Sequence, residues 1–120
     1  MVDTLFDYSE TGLTSGFYVS DDNIFAVDGN LRESGLIEHM AQSVALHTGY
    51  KFFLRNEAAP TGYIGSISAL SISKLPQTGD TILTKVTIIQ EFGDITMVEI
   101  ESFINDVPIA RGQMKTVLAK

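Results

Sequence analysis

The sequence predicts an α+β domain, one long helix packed on a curved antiparallel sheet, and three observations predict it. From about Leu31 to Tyr50, the positions Ile37, Met40, Ala41, Val44 and Thr48 recur at three- and four-residue steps, with Leu36 and Ala45 widening the stripe. That is the period of a helix face. The chain after residue 61 reads as strand after strand, punctuated by Thr78-Gly79-Asp80, Phe92-Gly93-Asp94 and Asn105-Asp106. Each is a turn signal flanked by β-branched residues. Within those strands apolar residues keep one parity, as a sheet with one buried face requires.

The elements follow in order. Up to Asn30 the text is mixed, with short aromatic runs at Gly16–Val19 and Ile24–Val27 set between the turn-rich Ser9–Gly12 and Ser20–Asn23. Both runs read as brief strands. The helix has few polar positions (Glu38, His39, Gln42, Ser43, His47). A helix apolar around most of its circumference is expected to be largely enclosed. Asn56–Thr61, with Pro60, reads as a loop. In the second long strand Ile82, Val86 and Ile88 share a face, in the third Val98, Ile100 and Ile104, and in the fourth Ala110, Met114, Thr116 and Leu118. Lys85, Thr87, Glu99, Glu101, Arg111 and Lys115 take the other face. The first long strand changes parity, from Ile67 and Ala69 to Leu70 and Ile72, which calls for a bulge near Ala69. The reading is thus a meander of four long strands plus one or two short ones. A cystatin-like helix on a sheet has the same element order.

Composition narrows the function. A chain of 120 residues that is 44% hydrophobic forms one core and one domain, residues 1–120. The apolar runs are all broken before about 18 residues and the start Met-Val-Asp-Thr lacks a basic leader, so a cytoplasmic protein is expected. With no cysteine and two histidines, neither a metal nor another cofactor is expected. A net charge of −7 opposes nucleic acid. It also repels an acidic carrier protein at long range, so docking of such a partner would rely on a local patch such as Arg32, Lys51, Arg55 or Lys74.

The helix carries Leu36-Ile37-Glu38-His39-Met40-Ala41-Gln42, preceded by Asp28-Gly29-Asn30-Leu31. Downstream come Tyr63-Ile64-Gly65-Ser66-Ile67-Ser68, then Leu75-Pro76-Gln77-Thr78-Gly79-Asp80-Thr81, and the ending Asp106 to Met114. Together, from about Asp28 to the C-terminus, these resemble the hotdog-fold 3-hydroxyacyl-ACP dehydratases, and most closely a smaller subgroup of predicted dehydratases, some tied to polyene-type pigment assembly. The resemblance implies a hotdog fold, a long central helix wrapped by the sheet. It also implies an acyl thioester on acyl carrier protein or CoA as substrate, in fatty-acid or polyene-type biosynthesis. The family's principal Gly-His-Phe-x-Gly loop is shortened here, and Asn30 falls at or near the place of its catalytic histidine.

Dehydration needs a base for the C2 proton, an acid for the departing hydroxyl and a donor for the thioester carbonyl. By resemblance Glu38 is the catalytic carboxylate, while the amides of Ser34, Gly35 and Leu36 in the first helical turns are candidate carbonyl donors. His39 is a substitute catalyst or a packed histidine, lying about 100° from Glu38 around the helix. Asn30 either stands in for the missing histidine or forms a capping box with Glu33. Gln42, one turn on, is placed to hydrogen-bond Glu38. Tyr63 and Gly65 are candidate substrate contacts, Gly65 because it leaves room beside a strand, or simply eases its curvature. Because a lone curved sheet leaves one strand edge open, a dimer is expected, either of two copies or with a homologous hotdog subunit. The readings left standing are a dehydratase-like enzyme, a catalytically silent acyl-binding subunit of a heterodimer, and an acyl thioesterase in which Glu38 activates water. If Glu38 lies in an apolar tunnel, desolvation raises its pKa toward neutrality.

Overall fold

The computed structural model describes residues 1–58 and 62–118, with the side chains of Tyr63 and Ile64 left out of the description. The Asn56–Thr61 loop therefore falls partly outside the described residues. Strands β1 (Thr4–Ser9) and β2 (Gly12–Tyr18) form a hairpin, followed by the two-residue strands β3 (Ala26–Val27) and β4 (Asn30–Leu31). Then come helix α1 (Glu33–Leu54) and the long strands β5 (Gly62–Ile72), β6 (Thr81–Phe92), β7 (Ile95–Ile104) and β8 (Val107–Leu118).

Several expectations change. The helix runs four residues past Tyr50, to Leu54, because Lys51-Phe52-Phe53 contains no breaker and Arg55–Asn56 supplies the turn. The sheet has six strands in the order β1-β2-β6-β7-β8-β5. β6, β7 and β8 do form a meander, but β5 lies at the far edge against β8, and β2 takes the place beside β6. The first of the short runs belongs to β2, while most of Ile24–Val27 is turn, with only Ala26–Val27 pairing against β4.

The parity reading holds in detail. Ile82, Val86, Val98, Ile100, Ile104, Ala110 and Met114 are buried on the concave face. The bulge sits where expected: Ala69 has φ 51°, and the β5–β8 register shifts between Ser68 and Ser71. Extra backbone there flips the exposed parity and bends the strand.

The helix is not enclosed all round. Its buried residues are Gly35, Leu36, His39, Met40, Ser43, Val44 and His47, a single stripe that crosses the sheet at β2, β6 and β7. Ile37, Ala41 and Leu46 are half-buried, and Ala45 is exposed. The buried stripe thus includes three polar side chains that periodicity alone assigned elsewhere. Each is hydrogen-bonded. Met1 O can only accept, so His39 Nδ1 donates to it at 2.7 Å, and His39 Nε2 accepts from Thr84 Oγ1, also at 2.7 Å. Ser102 Oγ in turn donates to Thr84 Oγ1 at 2.7 Å. Ser43 Oγ donates to the His39 carbonyl at 2.9 Å and so accepts from Ser15 Oγ at 2.8 Å. The chain of bonds ties α1 to β2, β6, β7 and the N-terminal residue.

At the other side of the helix start, Asp28 (φ 52°) and Gly29 (φ 79°) make the two-residue turn of the β3–β4 hairpin, whose pair of positive φ angles suits an Asp-Gly sequence. That ribbon lies so close to α1 that a Cβ at Gly35 would stand 2.6 Å from Phe25 Cβ and 2.8 Å from Leu31 Cδ1.

This packing makes two outcomes measurable. Gly35→Ala should cost about 1–3 kcal/mol as an overpacked contact, lowering the thermal midpoint by several degrees. Gly49→Ala, on the same helix but with nothing within 4 Å of the added Cβ, should raise stability by about 0.5–1 kcal/mol. Equal shifts in the two melting curves would contradict the close approach. The second prediction concerns pH. Burial disfavours the charged imidazole and lowers the His39 pKa from its ordinary value of 6.5. Below about pH 6.5 the unfolded chain therefore binds a proton that the native chain refuses, so stability should fall as pH falls from there toward the depressed native value. Denaturant unfolding at pH 7.5 and 5.5 should show a shallower dependence for His39→Gln than for the parent, by at most about 1.4 kcal/mol per pH unit. Parallel profiles would show that His39 does not carry the effect.

Candidate functional site

The expected site residues lie around the start of α1. Arg32 is the N-cap residue, with φ −69° and ψ 160°, and no side chain caps the helix. The capping box between Asn30 and Glu33 is therefore not formed: Asn30 precedes the N-cap position and is held in β4 opposite Val27, with its side-chain amide donating to Asp28 O at 3.3 Å. Asn30 is exposed, and its strand is fixed from the far side by Gln77, by Leu31 N donating to Pro76 O and by Thr78 N donating to Gly29 O. The Pro-Gln-Thr-Gly-Asp turn thus props the loop that leads into the helix.

Of the three amides proposed as carbonyl donors, Gly35 N and Leu36 N already donate to Arg32 O, at 3.0 and 3.1 Å. Ser34 N remains, at a position whose N–H helix geometry leaves open, on an exposed residue. The Gly35 and Leu36 side-chain positions are buried.

Glu38 is exposed, one turn into the helix. Gln42 Nε2 donates to its Oε1 at 2.9 Å, the pairing expected from their i, i+4 spacing, and Gln42 Oε1 accepts from the Met1 nitrogen. Gln42 is thereby held from both ends and restricts the Glu38 rotamer. Within this chain Glu38 does not lie in an apolar tunnel; around it on the same outward face are Ile37, Ala41 and Ala45.

Neither histidine joins this face. His39 is fully buried, stacked on Phe17 at 5.8 Å and bonded through both ring nitrogens. His47 is 4% exposed, with Nε2 donating to Ser9 O at 2.8 Å and its ring stacked on Tyr8. Tyr63 and Gly65 lie on β5, at the sheet edge beyond the strands that α1 crosses, so the single chain does not bring them to Glu38. The Tyr63 side chain is outside the described residues. The residues that sequence reasoning missed are Ser15, Ser43, Thr84 and Ser102. Thr84 and Ser102 had a signal, since each is a hydroxyl at an inward parity position between two buried aliphatic residues. Among the described residues no helix is long and apolar enough to cross a membrane, and no three His, Cys, Asp or Glu side chains are grouped to hold a metal ion.

Comparison with known proteins agrees with this architecture. No curated protein sequence matches. Among solved structures, the dehydratase heterocomplex ApeI:P from Xenorhabdus doucetiae superposes with a TM-score of 0.91 at 18% identity, covering 99% of this chain and 82% of that one. A Streptococcus mutans protein bound to acetyl CoA gives 0.78 at 12% identity, over 99% and 89% of the two chains. A hypothetical thioesterase with coenzyme A from Streptococcus pneumoniae gives 0.77 at 9% identity, over 97% and 84%. These likenesses establish the hotdog fold. A model of the ApeP-like family, described as ApeP dehydratase, matches residues 1–117, so the chain is a hotdog protein that belongs to the ApeP-like dehydratase family.

Proposed function

We propose that this chain is one subunit of a two-chain 3-hydroxyacyl thioester dehydratase, contributing Glu38 and the helix N-terminus while a homologous hotdog subunit contributes the histidine. One observation carries the reading: the chain has only two histidines, and both are held in the core by hydrogen bonds, facing away from Glu38. Dehydration needs two proton-handling groups, and the described surface around Glu38 supplies one.

The surface around it supports a second chain. The outward face of α1 carries Ala45, which is exposed, and Ile37 and Ala41, which the chain covers only in part. β5 ends the sheet, and between Gly62 and Ser73 it contains no charged residue or proline, the usual guards of an open edge. Ile67 pairs with the buried Met114 yet remains 39% exposed, because the helix stops short of that edge. A subunit seated there would exclude water from Glu38 and strengthen its electrostatics. The ApeI:P structure, itself a dehydratase heterocomplex, supports a partner other than a second copy of this chain.

In this scheme the thioester carbonyl lies at the Ser34 amide, where the free N–H and the helix dipole favour developing negative charge. The partner's base removes the C2 proton. Glu38 relays a proton to the C3 hydroxyl as the C3–O bond breaks, releasing water and the α,β-unsaturated thioester. Gln42 is a positioning residue that holds the carboxyl group. The substrates proposed are acyl thioesters on a carrier protein or CoA. A second reading, hydrolysis of the thioester by water that Glu38 activates, is favoured by the exposure of Glu38 and by the likeness to a hypothetical thioesterase.

The test is incubation with 3-hydroxyacyl thioesters, alone and with a homologous subunit that carries the loop histidine, read by mass spectrometry. Loss of water only in the mixture is expected, and Glu38→Gln should lower that turnover by about 10²-fold or more with the fold intact. Full activity of the mixture containing the Glu38→Gln variant would leave this chain a silent acyl-binding subunit, while free acid as the product would make it a thioesterase.

A further inference from the structure

The first three residues leave the sheet and cross onto the helix. β1 begins at Thr4, opposite Gly16, so Tyr18 lies beyond the last β2 position that β1 covers. A side chain takes the Tyr18 N–H instead: it donates to Asp3 Oδ2 at 2.8 Å, while Thr4 Oγ1 donates to Asp3 Oδ1 at 2.9 Å. Asp3 N donates to Gly16 O at 3.0 Å. The Asp3 carboxylate thus satisfies the end of β2 in place of further β1 backbone, and residues 1 and 2 are free to turn away from the strand.

Met1 then reaches two residues of α1 that lie one turn apart. Its carbonyl accepts from His39 Nδ1, its nitrogen donates to Gln42 Oε1, and its side chain packs against the core. A glutamine amide fits either way round, and here the partner decides which. The Met1 nitrogen can only donate, an α-ammonium and a peptide N–H serving alike, so the amide oxygen must face Met1 and the NH2 group must face Glu38. Gln42 Nε2 accordingly donates to Glu38 Oε1 at 2.9 Å. With Met1 elsewhere, Gln42 could turn about its terminal bond, and the exposed carboxylate would lose a donor of fixed orientation.

We propose that residues 1–3 form a strap that orients the Glu38 carboxyl group through Gln42, with Asp3 as its anchor on the sheet. Asp3 is a positioning residue, acting on Glu38 only through Met1 and Gln42. The strap itself stands apart from the dehydratase reading, whereas its effect on turnover rests on that reading.

Methylene proton couplings of Glu38 in the isotopically labelled chain report its rotamer. They should show one dominant rotamer in the parent and averaging in Asp3→Ala, where the Gln42 amide protons should also move to the shifts of a free glutamine side chain. Asp3→Asn, whose amide oxygen can still accept from Tyr18 N, should keep the parent values. Val2→Gly retains both anchors and loosens the backbone between them, so it should average the couplings in part even if Asp3→Ala fails to fold. In a Gln42→Ala background Asp3→Ala should change Glu38 no further, because the link is already cut. In the two-subunit assay of water loss, Asp3→Ala should lower kcat about fivefold, the effect of one lost hydrogen bond, with KM unchanged. Unchanged Glu38 couplings in Asp3→Ala or, where that variant does not fold, in Val2→Gly would overturn the strap, as would an added effect in the Gln42→Ala background. Averaged couplings with unchanged kcat would support the strap and count instead against Glu38 as the reacting carboxyl group.

Discussion

The rotational setting of α1 rests on His39. Hydrophobic contact is non-directional, and this helix has apolar residues on nearly every side, so burial alone would permit several settings. The bonds from the His39 ring to Met1 O and Thr84, extended by Thr84 to Ser102, permit one. In a low-dielectric core an unmade hydrogen bond is costly, and rotating the helix by one residue would break both bonds of the His39 ring. Ser43 and Ser15 repeat the constraint one turn later. With His39 turned into the sheet, Glu38, its neighbour in sequence, must face outward.

That setting divides the helix into two surfaces with different tasks. The sheet-facing stripe is complete within the chain. The outward one holds a carboxylate oriented by Gln42, flanked by Ile37, Ala41 and Ala45, and begins at a helix start with no side-chain cap. A missing cap leaves the Ser34 N–H open, which lowers helix stability slightly and keeps a donor for something outside the chain. The tight seat of Gly35 under Phe25 and Leu31 keeps the β3–β4 ribbon against this end of the helix. Local packing that would be wasteful in a self-sufficient domain is consistent with a surface that another subunit completes.

The two ends of α1 also differ in how histidine is used. His39 bonds through both ring nitrogens to protein groups, whereas His47 bonds through one, to Ser9 O, and stacks on Tyr8. Both are removed from the Glu38 face. A chain that devotes its histidines to the interior has none to spare for proton transfer at its surface, and in the proposed scheme that task passes to the second subunit.

Much of this was legible in the residues themselves. Strand parity placed Ile82, Val86, Val98, Ile100 and Met114 on the buried face, and the change of parity in β5 located the bulge at Ala69, because both depend on local alternation that any sheet enforces. The helix motif and the Gln42–Glu38 pair were readable for the same reason: they are separated by one turn. What only the tertiary structure decided depends on distant contacts. The edge position of β5 follows from a crossover to β8, and the burial of His39, Ser43 and His47 from partners 28 to 45 residues away. The capping box failed because Asn30 and Leu31 are drawn into a ribbon by Pro76 and Gln77, which leaves Arg32 at the N-cap. Periodicity reports which side of a helix is apolar, but where apolar residues surround it, the directional bonds of its few polar residues decide which side is inside.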